Sequence, residues 1–460
     1  MQIDAIAEFV ATTRCEDIPE AVRRHARLVL LDTLGVILAG GERPEVQALR
    51  EALAATAGTG ATVYARGWPQ QDPRSAALLN GLAGRSIELC EGLRLVSGQA
   101  ALQILPALLA LGEQRGRSGR DLLAALVLGY EVAGRLAGGF TPRPLAHQNG
   151  QVSLLAAAAA GARLCGLDAG GVGRAVRVAT TLVLTPSYTN AVAGATALNL
   201  AGGMSGFVGA LAPDLALAGF TAQQNAVEEA LGQLVGDGFT PDRLADDLGG
   251  SWQITQNYFR LYACCNPIHP ALDCLADILA ELRPEPQQIE RIEVATYRFA
   301  SVMREPQPAN YFASKYSLPH AAATMVVRGV ADHAALDDGA LTDPAIAALR
   351  RRVHITEDPA MSALAPKLRP AQVTVTLSDG RSTTRRRDSH RGDFSEPFAE
   401  SELRDKFRQL AGAVLTPDGA AAVEAAVGRC EEWRDIGELT ALLRRHGRLH
   451  PHQGASQAAT

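Results

Sequence analysis

The stretch Arg260-Leu261-Tyr262-Ala263-Cys264-Cys265-Asn266-Pro267-Ile268-His269-Pro270 divides the chain into two kinds of sequence. Before it, apolar residues recur at helical spacing in block after block. After it, a period of two sets in. Residues 289–297 alternate around Ile292, Val294 and Thr296, as a half-buried strand does. Val353 and Ile355 form another short strand. Val373, Val375 and Leu377 alternate likewise and run into Ser378-Asp379-Gly380-Arg381, a hairpin turn signal. Helical patterns at 270–281 and 320–328 lie between the strands.

Upstream, 18–38 is helical and stops at Gly40-Gly41. A second helix covers 73–90, with Pro73 at its first position. A third, 100–113, contains Pro106, which is expected to kink or break it. Ser118 and Asp121 have the spacing of a capping box before the apolar run 122–136. The alanine-rich run 153–165 closes at Gly166, and Asp168 caps the next helix. Residues 198–218 carry Gly202, Gly203, Gly206 and Gly209, a spacing that in a water-soluble fold means close helix packing. Thr221 is expected to start a further helix. Downstream, 400–410 and 418–446 return to helix, and the Gln/Ala/Ser-rich tail 451–460 reads as frayed.

Composition narrows the function. The 460 residues are 47% hydrophobic, 20% charged and only 5% aromatic, with a net charge of -5, so no overall basic footprint for nucleic acid exists. The basic run Arg381 to Arg387 reads as a solvated strand end. Seven cysteines without a C-x-x-C pair read as free buried thiols in a reducing compartment. No secretory or transit segment is visible, and the run 28–39 is too short for a membrane span. A cytoplasmic protein is the expectation. Phosphate loops, a zinc-protease helix, a nucleophile elbow, a dinucleotide fingerprint and metal-ligand spacing are absent from the sequence. Chemistry without cofactor or metal remains.

Three runs then belong together: 260–270, the segment Lys315-Tyr316-Ser317-Leu318-Pro319-His320, and Leu28 to Gly41 with Asp32-Thr33-Leu34-Gly35 inside it. They resemble landmarks of the MmgE/PrpD family, which includes 2-methylcitrate dehydratase, cis-aconitate decarboxylase and iminodisuccinate epimerase. The resemblance spans nearly the whole chain. It implies a mainly α fold in which a large helical domain is built from both chain ends, 1–264 and 398–460, around an inserted smaller α+β domain, 265–397. It also implies a homodimer, no cofactor, and a small carboxylate substrate bound between the two domains.

The usual acidic and histidine segment is altered. Asn80 and Gly81 match the family. Arg85 stands where histidine is usual, Glu88 where an aspartate is usual, and Cys90-Glu91 where an aspartate pair is usual. Gln99-Ala100 stand where the family's general base begins a His-Pro pair, and an amide cannot accept that proton. Arg85 and Glu88 read as three apart on one helix face, either as a salt-bridged pair or as a rebuilt site in which Arg85 grips a carboxylate and Glu88 moves a proton. The family's lysine falls near Leu198 or Asn199, where this chain has none.

His147 keeps a family position and is the first candidate acid/base. His269, at a helix start where neutral imidazole is favoured, and His320, which replaces a tyrosine, are the assisting candidates. Catalytic candidates are therefore His147, His269, Glu88 and His320. Substrate-binding candidates are Arg85, Arg260, Gln99, Tyr262 and Lys315. Arg260 sits where the family has lysine and adds bidentate geometry. The expected function is proton transfer next to a carboxylate or carbonyl, giving dehydration, decarboxylation or epimerisation. Two rivals remain open: a non-catalytic binding member, and a diverged cyclase.

Overall fold

The computed structural model describes residues 2–54, 58–94 and 98–448; the tail 451–460 lies outside them. The fold is mainly helical, with a small four-stranded sheet set into its second half. The helices that build the site are α1 (Glu20–Gly40), α2 (Pro73–Arg85), α3 (Ala100–Arg115), α4 (Gly119–Gly139), α5 (Val152–Leu164) and α6 (Leu200–Leu217). Further on come α7 (His269–Leu282), α8 (Leu318–Arg328), α9 (Glu400–Ala411), α10 (Pro417–Gly428) and α11 (Gly437–His446).

Local chemistry starts these helices. The Asp72 carboxylate accepts the Arg74 and Ser75 N–H groups ahead of α2, and Pro73 occupies the first turn, where its missing N–H costs nothing. Ser118 and Asp121 cap α4 reciprocally. Packing then overrides some local signals. Pro106 does not end α3, which is buried continuously from Ala100 to Gly112, so its neighbours hold it helical. Thr221 starts no helix; the next one begins at Ala226. The pattern 418–446 is two helices, since the first ends at Gly428.

Small residues let the helices touch. A β-carbon on Gly40 would lie 1.8 Å from the Ala83 carbonyl oxygen, so α1 and α2 meet backbone to backbone. Helix α6 threads between α2 and α5 in the same way. The 18-residue-or-longer apolar segments Gly119–Gly139 and Thr196–Leu217 have the length to cross a membrane, but 89% and 61% of their apolar windows are buried within the protein. That is the environment of core helices.

Strands β1 (Ile289–Thr296), β2 (Val353–Glu357), β3 (Ala371–Leu377) and β4 (Ser382–Arg387) form the sheet in the order β4-β3-β1-β2. Only β1 and β2 are parallel. The buried residues of β1 and β3 alternate with exposed or half-exposed ones, and α7 covers one face. The basic run is β4 itself, solvated and paired with acids: Arg387 donates to Asp277 at 3.0 Å and Glu396 at 2.9 Å. All seven cysteines are free thiols.

The two ends of the chain meet. Helix α9 packs along α1, with Phe407 against Gly35. Lys406 Nζ donates to Asp32 Oδ1 at 2.5 Å and to the Leu89 carbonyl at 2.8 Å. That second bond matters for function, because Leu89 belongs to the loop that follows α2.

Candidate functional site

Helix α2 ends at Arg85, so Glu88 does not share a helix face with it as the spacing alone predicted. Glu88 sits in the loop beyond, with φ of 51°. A residue with a β-carbon occupies that left-handed region only where its surroundings compensate the strain. Here they do. Ser86 Oγ donates to the Leu82 carbonyl at 2.7 Å, Lys406 holds the Leu89 carbonyl, and Arg260 Nε donates to the Cys90 carbonyl at 2.6 Å.

The strained residue places its carboxylate between two guanidinia. Arg260 Nη1 donates to Glu88 Oε1 at 2.7 Å. Arg85 Nη1 donates to Glu88 Oε2, and the Tyr316 hydroxyl donates to the same oxygen at 2.9 Å. Arg85 Nη2 in turn donates to the Tyr316 oxygen at 2.8 Å. Arg85 and Arg260 are fully buried. Burial alone would push the Glu88 carboxyl up, but the two guanidinia outweigh it and hold it down at about 2. Glu88 is therefore ionised throughout the neutral range. It is an anion for the arginines to bind, not a proton carrier.

His147 lies within reach of the charges of this cluster. Burial, aided by the charge of Arg85 and opposed by that of Glu88, lowers its pKa to about 3. Its Nδ1 accepts the Asn149 N–H at 3.2 Å, which puts the ring proton on Nε2. The ring stacks on Tyr188, centroids 5.0 Å apart. Tyr188 is also part of the wall of a cavity of about 1180 Å³, together with Leu145, Gln148, Val192, Phe299 and Val302. Phe299 leans on Tyr188 at 4.8 Å. Tyr188 thus touches both the cavity and His147, and its hydroxyl meets Cys265 Sγ at 3.8 Å.

Carboxamides complete the interior. Asn149 Nδ2 donates to Gln99 Oε1 at 2.5 Å, and Gln103 Nε2 donates to the Gln99 carbonyl at 2.8 Å. Gln103 Oε1 accepts from Gly150 N–H at 2.7 Å and Ser205 Oγ at 2.9 Å. Helix α3 lacks a local side-chain cap at Gln99, and Glu91 supplies one through space: Oε1 accepts the Ala101 N–H at 2.8 Å, while Oε2 accepts the Tyr130 hydroxyl at 2.6 Å.

Burial pushes the Glu91 carboxyl up to about 7, against those two hydrogen bonds. Its folded pKa lies above an unfolded value of about 4.3. The bound proton therefore stabilises the fold fully below about pH 4.3, and that stability is lost as the pH rises through about 7. Between pH 5 and pH 8 the native protein should lose up to about 3 kcal/mol relative to the Glu91→Gln variant. Urea unfolding of both proteins at the two pH values measures this, and parallel stabilities would contradict it.

The remaining candidates lie around or away from the cluster. His269 Nε2 donates to the Cys264 carbonyl at 3.1 Å, the same oxygen that accepts Arg260 Nη1 at 3.2 Å, so His269 is one acceptor removed from the site. Its pKa is well below the usual imidazole value, chiefly from burial rather than from the helix terminus. Tyr262 donates outward to Asp273 at 2.9 Å. Lys315 is buried, with Nζ donating to the Leu336 carbonyl at 2.6 Å over the Tyr311 ring and not to Glu88; burial lowers its pKa to about 7. His320 faces Arg350 at 3.3 Å, and burial with that charge lowers it to about 3. The Cys264 and Cys265 thiols are buried and pushed up, Cys265 to about 12, so both stay protonated.

Sequence reasoning gave no role to Tyr316, Tyr188, Asn149 or Gln103. Tyr316 lies in a run the sequence singles out, beside Lys315. Tyr188 has no signal of its own; only the fold brings it onto His147.

The comparisons agree with this architecture. The model of the MmgE/PrpD N-terminal domain matches residues 4–241, and that of the MmgE/PrpD C-terminal domain matches 262–432. The chain is 24% identical over 473 residues to a cis-aconitate decarboxylase-like protein of Aspergillus oryzae, covering 95% of this chain and 96% of that one. It is 24% identical over 467 residues to cis-aconitate decarboxylase of Mus musculus, covering 96% and 93%. To the Homo sapiens cis-aconitate decarboxylase it is 25% identical over 470 residues, covering 96% and 95%. With both domain models matched in order along one helical body and its inserted sheet, the chain belongs to the MmgE/PrpD family.

Proposed function

We propose that this protein is a lyase or isomerase that acts on a carboxylic acid by proton transfer next to the carboxylate, without a cofactor. One observation carries the reading: the buried His147 stacks on Tyr188, a wall residue of a cavity able to hold an organic acid, and lies within reach of the charge of Arg85. Relatives whose names record decarboxylation of cis-aconitate support the class.

His147 is buried and stacked on Tyr188, so catalysis requires that ring to swing aside. Neutral His147 is the proton-accepting form. The bond from Asn149 N–H to Nδ1 is at the long end of the normal range, so that lone pair is released at small expense. Nδ1 then takes a proton from the carbon beside the carboxylate. The C–H electron pair moves into the carboxylate as an enediolate, which the positive charge of Arg85 and Arg260 stabilises. Its collapse expels a β-hydroxyl as water, using the proton from His147, or takes a proton from solvent on the opposite face. For decarboxylation the C–C electron pair stays on the carbon as carbon dioxide departs, and, because His147 is neutral, the carbon takes its proton from solvent.

A second reading, a binding protein with the family fold, is favoured by the complete internal pairing of Glu88. Incubation in deuterated water with saturated, β-hydroxy and β,γ-unsaturated acids separates the two. The catalytic reading expects deuterium in recovered acid or product, and a loss of about 10²–10⁴-fold in His147→Gln with the circular dichroism spectrum unchanged. Ligand binding without exchange or product across the series would leave the binding reading.

A further inference from the structure

Two arginines stand in the wall of the large cavity, and their surroundings differ. Arg143 is engaged within the chain. It donates to the Gln233 carbonyl at 3.0 Å and the Gly236 carbonyl at 3.4 Å, and its Nε lies 3.5 Å from Asp237 Oδ1. Arg298 is held by its backbone. Its N–H donates to Ser362 Oγ at 2.9 Å, and its carbonyl accepts Ser301 Oγ at 2.9 Å. Among the described residues its guanidinium has no hydrogen bond and no ion pair. Acids of neighbouring segments have other partners: Glu305, in the same wall, accepts the Gln307 N–H at 2.8 Å, and Glu357 accepts Ser362 Oγ at 2.9 Å.

A guanidinium without an acid is ordinary on an open surface, where water hydrates it. Arg298 is exposed, but it shares its cavity with Leu145, Val192, Phe299 and Val302. Apolar walls focus the field of an unpaired charge and concentrate anions against it. The planar fork of arginine then suits a carboxylate, which it grips by two parallel bonds.

The place of Arg298 relative to His147 supplies the second half. Phe299, the next residue, leans on Tyr188 with ring centroids 4.8 Å apart, and Tyr188 stacks on His147 at 5.0 Å. One cavity therefore joins the free guanidinium to the ring on which His147 stacks. Its volume of about 1180 Å³ lies above the range of about 300–1,000 Å³ usual for small-molecule sites, and its walls offer apolar surface to a chain of methylenes.

We propose that Arg298 is a specificity-determining residue: it binds a second carboxylate, at the end of the substrate opposite the reacting one and separated from it by an apolar span. The proposal rests on the carboxylic-acid reading above and adds the residue that selects the substrate.

Isothermal titration of the full chain with octanoate and octanedioate tests it, because the two acids differ in the second carboxylate. The wild type should bind octanedioate at least about five-fold more tightly. Arg298→Gln should erase that preference and leave octanoate affinity within about two-fold of wild type. The bonds to Ser362 and Ser301 use backbone atoms of Arg298, so the variant keeps them and should fold. Arg143→Gln is the control and should keep the wild-type ratio. A wild type without preference for octanedioate overturns the proposal. So does a folded Arg298→Gln that retains the preference, or an Arg143→Gln that loses it equally. If neither acid binds, the proposal falls whatever the deuterium experiment shows. Octanedioate held through Arg298 with no deuterium exchange across the acid series removes the catalytic reading and leaves the assignment of Arg298; exchange with an unaltered ratio in Arg298→Gln does the reverse.

Discussion

Replacing Arg260 by methionine is expected to destabilise the protein by about 3–5 kcal/mol, because it leaves a buried carboxylate half-paired. Arg260 is fully buried and serves three acceptors at once: Glu88 Oε1 at 2.7 Å, the Cys90 carbonyl at 2.6 Å and the Cys264 carbonyl at 3.2 Å. Methionine fills much of the volume but none of those acceptors. The pH dependence should change with it. Glu88 is depressed to about 2 in the fold, so its contribution is present above the unfolded value of about 4.3 and is lost as the pH falls toward 2. Without Arg260 that acid-side loss should shrink. Urea unfolding followed by circular dichroism at pH 7 and pH 4 gives both numbers. A difference below about 1 kcal/mol at pH 7 would mean that Glu88 finds other support and that the cluster does not hold the loop.

Gly202→Ala is expected to damage fold and function together. The new β-carbon would lie 2.7 Å from the Gly81 carbonyl oxygen, a contact with backbone that cannot rotate away. Helix α2 must move, at about 1–3 kcal/mol for such overpacking. Its last residue is Arg85, so the same displacement carries the guanidinium away from Glu88 and Tyr316. A misplacement of about 1 Å in a positioned group is worth about 100-fold in rate. Gly138→Ala in α4 is the matched control: nothing lies within 4 Å of that β-carbon, and the backbone there is ordinary. It should be neutral, or stabilising by about 0.5–1 kcal/mol. Thermal unfolding and turnover of the two variants side by side test the pair. If Gly202→Ala matched Gly138→Ala in both, close approach of α6 would not be what positions Arg85.

Much of the architecture was legible because its causes are local. The cap at Ser118, the proline at the start of α2, and the alternation in β1 and β3 each concern neighbours along the chain, and each appears where the pattern puts it. Signals failed where packing outweighed them. Pro106 lies inside an unbroken α3, and α2 stops five residues short of Cys90 because its loop is stapled by Lys406 and Arg260 from distant segments. Among site candidates, nearness in sequence misled as often as it helped. Lys315 and Tyr316 are adjacent, yet one bonds to the Leu336 carbonyl and the other to Glu88.

By itself, then, the sequence determined the helical body, the inserted sheet and the residue types available for chemistry. Periodicity, caps and turn residues act over a few positions and need no partner. The tertiary structure alone decided that Glu88 would serve as the arginines' anion, that His147 would stack on a tyrosine of the cavity wall, and that Lys315 and His320 would find other partners. Those outcomes depend on contacts between residues 172 and 228 positions apart, set by which backbones come close enough for buried charges to find each other.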